Sequence, residues 1–176
     1  MKKEFANALR DLFTEEMAKK FPEFKPVKMK SQYIWPGERV FCWVVADSVG
    51  CYIVLVPSQK GYDEFTVEIG WSKLDRFPEI SARGIHVPQP DHSEFARDEF
   101  LCRLSSLWGS ADFWWQFYDV NKVMSDPVQH ILIQTKKLTT AEAEETVLPH
   151  VVSAIGKLKE HGIPYLKRYA SSFQQH

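Results

Sequence analysis

Arg39–Ala46 reads RVFCWVVA and residues 51–56 read CYIVLV, with Asp47-Ser48-Val49-Gly50 between them. Two apolar runs rich in β-branched and aromatic residues, joined by a short polar turn, specify a β-hairpin. Neither run alternates polar with apolar, so both faces of the hairpin must be covered, as in the middle of a sheet. A turn centred on Ser48-Val49 sets Cys42 opposite Leu55 and Cys51 opposite Ala46. The two cysteines then share a face without being paired, which argues against a disulfide. A second copy of the chain covers such a hairpin almost as well as a helix layer does, so a homodimer stays open.

Outward from the hairpin, residues 65–71 (FTVEIGW) alternate. Phe65, Val67, Ile69 and Trp71 point one way, and Thr66, Glu68 and Gly70 the other, so one face is buried and the other is wet or lines a cleft. The Gln59-Lys60-Gly61 turn makes the whole an antiparallel meander. Residues 32–35 add a short strand that stops at Pro36-Gly37. Before it, residues 2–20 form a helix on the spacing of Phe5, Leu9, Leu12, Phe13 and Met17, ended by Pro22 and Pro26. The lysines of FKPVKMK (24–30) read as a solvated connection.

From 72 to 93 the chain loses all periodicity and is punctuated by Pro78, Gly84, Pro88 and Pro90. So long a connection is uncommon in a compact domain and is often functional. A helix over 94–108 is expected next, capped by Ser93 and stopped by Gly109. Thr139 and Glu142 have capping-box spacing and open a helix to His161, kinked by Pro149, with Gly162 and Pro164 as its stop. A last short helix covers 164–172. Residues 128–135 suit a strand or a helix, with Asp126-Pro127 favouring a helix start.

The fold class is therefore α+β: an antiparallel sheet of four or more strands with N-terminal and C-terminal helices packed on it, in a single domain over 1–176. With 176 residues, 44% hydrophobic and 26% charged, the chain carries a globular core. Its net charge of -1 supplies no basic face, so nucleic acid is not expected as a partner. No stretch approaches the ~20 apolar residues of a membrane span, and the N-terminus lacks a signal-peptide pattern. Cytoplasm is the expected compartment, and three cysteines read as buried small hydrophobes.

Chemical motifs are missing. There is no GxGxxG, P-loop, CxxC or HExxH. His86 and His92 with Asp91 and Glu94 match no ligand spacing. Asp63 and Glu68 lack the lysine of a metal-dependent nuclease and read as outward, solvated carboxylates. Ser72 has no nucleophile elbow, and Cys102 falls inside the expected helix. No cofactor, metal or catalytic residue is assigned.

What remains is a recognition surface. Residues 113–118 hold five aromatics in six positions, and Trp71, Arg76, Phe77 and Arg83 gather tryptophan, phenylalanine and arginine at the end of an amphipathic strand. Tryptophan and arginine dominate binding hot spots. Trp71, Arg76, Phe77 and Arg83, with Trp114 and Trp115, are the candidate binding residues for a protein partner. Against this stands a simpler expectation, that Trp71 and Phe77 only cover the sheet while the arginines are solvated. A pocket for a small molecule between the Glu64/Glu68 strand face and the 72–93 loop is the other functional candidate.

Two segments carry a resemblance: FTVEIGWS (65–72) followed by Arg76-Phe77-Pro78, and HGIPYLKRY (161–169). They resemble small uncharacterised bacterial proteins known as domains of unknown function, with an N-terminal helix, an antiparallel sheet and C-terminal helices. Some proteins of similar size and plan look like immunity or accessory proteins encoded beside toxins, which implies a protein partner.

Overall fold

The computed structural model describes residues 1–81, 83–110, 112–118 and 136–173. The strand-or-helix segment 128–135 lies outside them. The elements are α1 (Lys3–Lys20), β1 (Lys25–Val27), β2 (Arg39–Ala46), β3 (Val49–Pro57), β4 (Glu64–Ser72), β5 (Glu99–Arg103), β6 (Trp115–Gln116), α2 (Thr140–Lys157) and α3 (Ile163–Ser171). The strands form one antiparallel sheet in the order β1-β2-β3-β4-β5, with β6 beside the start of β4. The α+β reading holds. Among the described residues no helix is long and apolar enough to cross a membrane.

Both sheet faces are covered, as the unbroken apolar hairpin requires. On one face α1, α2 and α3 close a large core that takes Phe5, Leu9, Phe13 and Met17 from α1 and Cys51, Ile53, Phe65, Val67, Ile69 and Trp71 from the strands. The other face is closed by loops. Val40, Tyr52, Val54, Val56 and Leu101 pack there under Phe77, Ile80, Tyr33 and Met29. Consequently β4 is buried along both sides, including Thr66, Glu68 and Ser72.

Several expectations change. The hairpin turn is Asp47-Ser48, since Ala46 pairs with Val49, and an irregularity between Val44 and Ala46 shifts the register. Trp43 then lies opposite Cys51, and Cys42 opposite Tyr52, so the two cysteines point to opposite faces. All three cysteines are free. The edge strand is β1, pairing Lys25 with Cys42, while 32–35 forms turns. A proline inside KPV masks the strand; Pro26 is tolerated because β1 lies on the rim.

The helix expected over 94–108 is instead a 3₁₀ turn (Ser93–Ala96), strand β5 and a second 3₁₀ turn (Leu104–Trp108). Phe100 and Cys102 enter the helix-side core and Leu101 the loop-side core. A strand buried on both faces is a continuous apolar run, which periodicity cannot tell from a helix. Cys102 is thus a buried strand residue.

The capping box is present: the Thr139 hydroxyl accepts from the Glu142 N–H at 3.2 Å, and Glu142 Oε2 accepts from the Thr139 N–H at 2.9 Å. Pro149 lies inside α2, which runs unbroken from 140 to 157. Gly162 is no stop. It has helical angles and ends a π turn (Leu158–Gly162) leading directly into α3. Its small size answers packing, because a Cβ there would come within 2.9 Å of Leu104 and 3.0 Å of Leu158.

Candidate functional site

The loop-side face holds a charged cluster that sequence reasoning did not assemble. Glu68 projects from the middle of β4 and is 2% exposed, so it is neither outward nor solvated. Its carboxylate meets Arg83, from a 3₁₀ turn over Arg83–Ile85, whose Nε donates to Glu68 Oε2 at 2.7 Å. Arg83 Nη1 donates to the Tyr33 carbonyl at 2.7 Å and reaches both Glu38 oxygens, Oε1 at 3.1 Å and Oε2 at 3.2 Å. Glu38 Oε2 also accepts the Trp35 N–H at 3.1 Å.

One buried guanidinium therefore ties together β4, the 31–38 turns and the 76–86 loop. Burial raises the Glu38 and Glu68 carboxyls above their usual value, and Arg83 opposes the rise. Removing a single partner of such a group leaves an uncompensated buried charge, at a cost of about 3–5 kcal/mol.

Above the cluster sits Trp35. Its ring lies 5.2 Å from the Arg83 guanidinium, and Phe77 lies 5.6 Å from the same group. Phe77 is buried, whereas Trp35 is 45% exposed. Beside it is a surface depression of about 410 Å³ lined by Gln32, Tyr33, Trp35, Ile80, Ser81 and Arg83. Between β4 and the 72–93 loop, where a pocket was expected, Arg83 reaches Glu68 and Phe77 packs beside the guanidinium.

A second arginine shares this face. Arg103 of β5 pairs across the sheet with Glu68, but Arg83 holds the Glu68 carboxylate. The Arg103 guanidinium lies 4.5 Å from the Trp114 ring. Asp112 Oδ1 is 3.4 Å from its Nε and accepts the Trp114 indole N–H at 2.8 Å. Both Nε and Nη1 of Arg103 are buried and lack a hydrogen-bond partner among the described residues. An unmet buried donor costs about 1–3 kcal/mol.

The six expected binding residues are divided by the sheet. Phe77 and Arg83 meet on the loop side, and Trp114 covers Arg103 there. Arg76 is on the surface, ion-paired with Glu79 and Glu99. Trp71 and Trp115 belong to the helix-side core. Trp71 is fully buried, and its indole N–H donates to the Arg97 carbonyl at 3.3 Å. Trp115 stacks on Phe65 at 5.3 Å and donates to Ser153. Of the 113–118 aromatics, Trp115 and Phe117 are core and Phe113 is exposed.

The histidine loop has a structural arrangement. Glu94, 1% exposed, accepts the Tyr165 hydroxyl at 2.6 Å and the Gln89 N–H at 3.0 Å, while His92 Nε2 lies 2.6 Å from Arg168 Nη1. Among the described residues no His, Cys, Asp and Glu group of three is placed to hold a metal ion.

Trp35, Glu38 and Arg103 are the site residues that the sequence reading missed, and Glu68, named there on the strand face of the alternative pocket, was read as solvated. An acid between Val67 and Ile69, in a strand neighbouring the all-apolar hairpin, is the signal that marked Glu68. Comparison with protein-family models, curated proteins and solved structures finds no match.

Proposed function

We propose that this chain is a non-enzymatic cytoplasmic protein-binding module, of the bacterial immunity or accessory kind, and that it engages its partner through the loop-side face around Trp35. The observation that carries the reading is the pairing of Trp35 with Arg83: a half-exposed indole stacked on a guanidinium that is itself buried and held by two glutamates. Buried ion clusters contribute little net stability. Here the cluster pre-orders a tryptophan at the surface, and a pre-ordered aromatic loses little entropy on binding. Ile85 and Val87, 75% and 44% exposed, continue the apolar character along the same loop.

Affinity capture of the tagged chain from its native cytosol, beside the Trp35→Ala variant, tests this. A partner retained by the wild type and lost by a variant of unchanged thermal stability supports it. Equal capture by both removes Trp35 from the interface. A second reading, a small-molecule site, is favoured by the concave 410 Å³ depression at Tyr33, Trp35 and Arg83. A metabolite library read by thermal shift separates the two, because a ligand that binds only the folded state raises the midpoint.

A further inference from the structure

We infer that Lys25, Lys28 and Lys30, on the loop-side face with Trp35, form a docking surface for an acidic segment of the protein partner. The inference rests on the protein-binding reading above and names the partner's chemistry.

Over residues 25–39 the chain carries Lys25, Lys28, Lys30 and Arg39 but one acid, Glu38. That acid is withdrawn from the surface. Its side chain is fully buried and is spent on Arg83, with Oε1 3.1 Å from Nη1. Lys25, Lys28 and Lys30 are exposed, and none of them makes an ion pair with a described residue. Several lysines elsewhere are neutralised: Lys19 meets Glu15, Lys73 meets Asp98, Lys157 meets Glu160 and Lys167 meets Glu23. The buried cluster that orders Trp35 thus also removes the one negative charge of this segment from its surface. A net charge of -1 over the whole chain conceals the local excess.

Backbone pairing places these charges on one side. Lys25 stands opposite Cys42 in the β1–β2 register, and paired residues share a face, so Lys25 leaves the sheet on the loop side with Cys42. Lys28 lines a recess on that side with Met29, Cys42 and Tyr52. The Ile34 N–H donates to the Ser31 carbonyl at 3.2 Å, closing a turn with Lys30 just before it and Trp35 just after it. Arg39, opposite the helix-side Leu55, points the other way.

The face suits a protein better than a nucleic acid. A single strand is held by successive stacking rings along a cationic groove. Here one indole is exposed, and Asp47 and Asp75 share the recess that Lys28 lines. An ammonium group is a compact point charge with rotatable donors, which takes a carboxylate from many directions. Exposed pairs add little singly, so the three lysines act together by steering the encounter, and their effect is sensitive to salt.

The test follows the Trp35 indole N–H by NMR in the intact chain. The probe is acetyl-Glu-Glu-Phe-Glu-Glu-amide, and the control is the same peptide with glutamine for glutamate. A saturable shift is expected with the acidic peptide, several-fold weaker at about 0.15 M salt, where the Debye length is about 8 Å, than at low ionic strength. The glutamine peptide should bind several-fold more weakly at low salt. Lys25→Gln, Lys28→Gln and Lys30→Gln combined should weaken the acidic peptide to the level of that control at an unchanged thermal midpoint, and arginine at the same three positions should restore it. The salt titration uses the wild type and stands whatever the variants do to folding. No saturable shift, equal binding of the two peptides or no response to salt would overturn the inference, as would tighter saturation of the same signal by an oligothymidylate of equal charge. A partner lost by Trp35→Ala yet fully retained by the triple glutamine variant would leave the protein-binding reading intact and sink this one. Saturation by the acidic peptide with no partner captured from cytosol would sink the reading and keep the acid-binding face.

Discussion

The Trp71 and Tyr169 rings lie face to face, 4.0 Å between centroids and 18° from parallel, and this contact joins the last turn of α3 to the C-terminal end of β4. Phe100 stacks on the same indole at 4.8 Å. Trp71 is therefore a keystone between sheet and helix, reached from both sides and closed to solvent.

Trp71→Ala should cost about 3–5 kcal/mol, the range for emptying a buried aromatic site. Trp35→Ala should leave stability within about 0.5 kcal/mol, as exposed substitutions do, while weakening partner capture. Chemical denaturation of the two variants side by side checks the contrast. Equal destabilisation would mean that Trp35 is structural.

Glu68→Ala strips Arg83 of its main carboxylate and should destabilise by about 3–5 kcal/mol. Because burial raises the Glu68 carboxyl above 4.5 in the folded chain, the folded state favours its protonated form. That preference helps folding fully below about 4.5 and fades as pH rises past the folded value. Subtracting the stability of Glu68→Gln from that of the wild type across this range should reveal the trend. A difference that grows with pH would contradict it.

Glu142 behaves in the opposite sense. The Lys136 ammonium and the Thr139 cap hydrogen bonds hold its carboxyl at about 2, below the ordinary 4.5. A depressed acid stabilises the fold above its unfolded value, so this contribution is present above about 4.5 and is lost as pH falls from there towards about 2. The protection factors of the amides in the first turn of α2, exchange rates corrected for the intrinsic effect of pH, should fall over that window in the wild type. In Glu142→Ala, which lacks the acceptor that Gln would keep, that protection should already be low at neutral pH.

Gly70→Ala tests the β4–β5 seam. A Cβ at Gly70 would come within 1.9 Å of the Phe100 carbonyl oxygen, a backbone atom that cannot step aside. Loss of protection at Phe100–Cys102 with an overpacking cost of about 1–3 kcal/mol is expected. Native exchange rates there would show that the seam is looser than described.

Wherever a single local rule governs, the sequence was readable. The 3.6-residue spacing of Phe5, Leu9, Phe13 and Met17 located α1, the apolar hairpin required a sheet covered on both sides, and Thr139 with Glu142 marked the start of α2. Local reading failed where burial depends on distant partners. The run Phe100-Leu101-Cys102 feeds two cores at once and so mimics a helix. Register in the hairpin turned on an irregularity near Val44 that no residue type announces. Glu68 read as solvated because its partner, Arg83, arrives from an aperiodic loop. Trp35 was passed over because its significance lies in that same arginine.

The rims of the sheet bear on how the chain behaves among other chains. On one side β1 offers three residues with Pro26, which has no N–H, at their centre. On the other, β4 is bordered by two short strands, β5 with five residues and β6 with two. Long, flat, unpaired edges recruit foreign strands, and short or proline-bearing ones do not. The folded chain thus offers a poor template for cross-β growth. The hazard is stored instead in CYIVLV, an uncharged six-residue run of the kind that forms steric zippers, kept safe only by its place at the middle of the sheet. Aggregation of this protein should therefore follow the rate at which β3 is released by unfolding, and substitutions that loosen the Trp71–Tyr169 stack should hasten it without touching the aggregating segment.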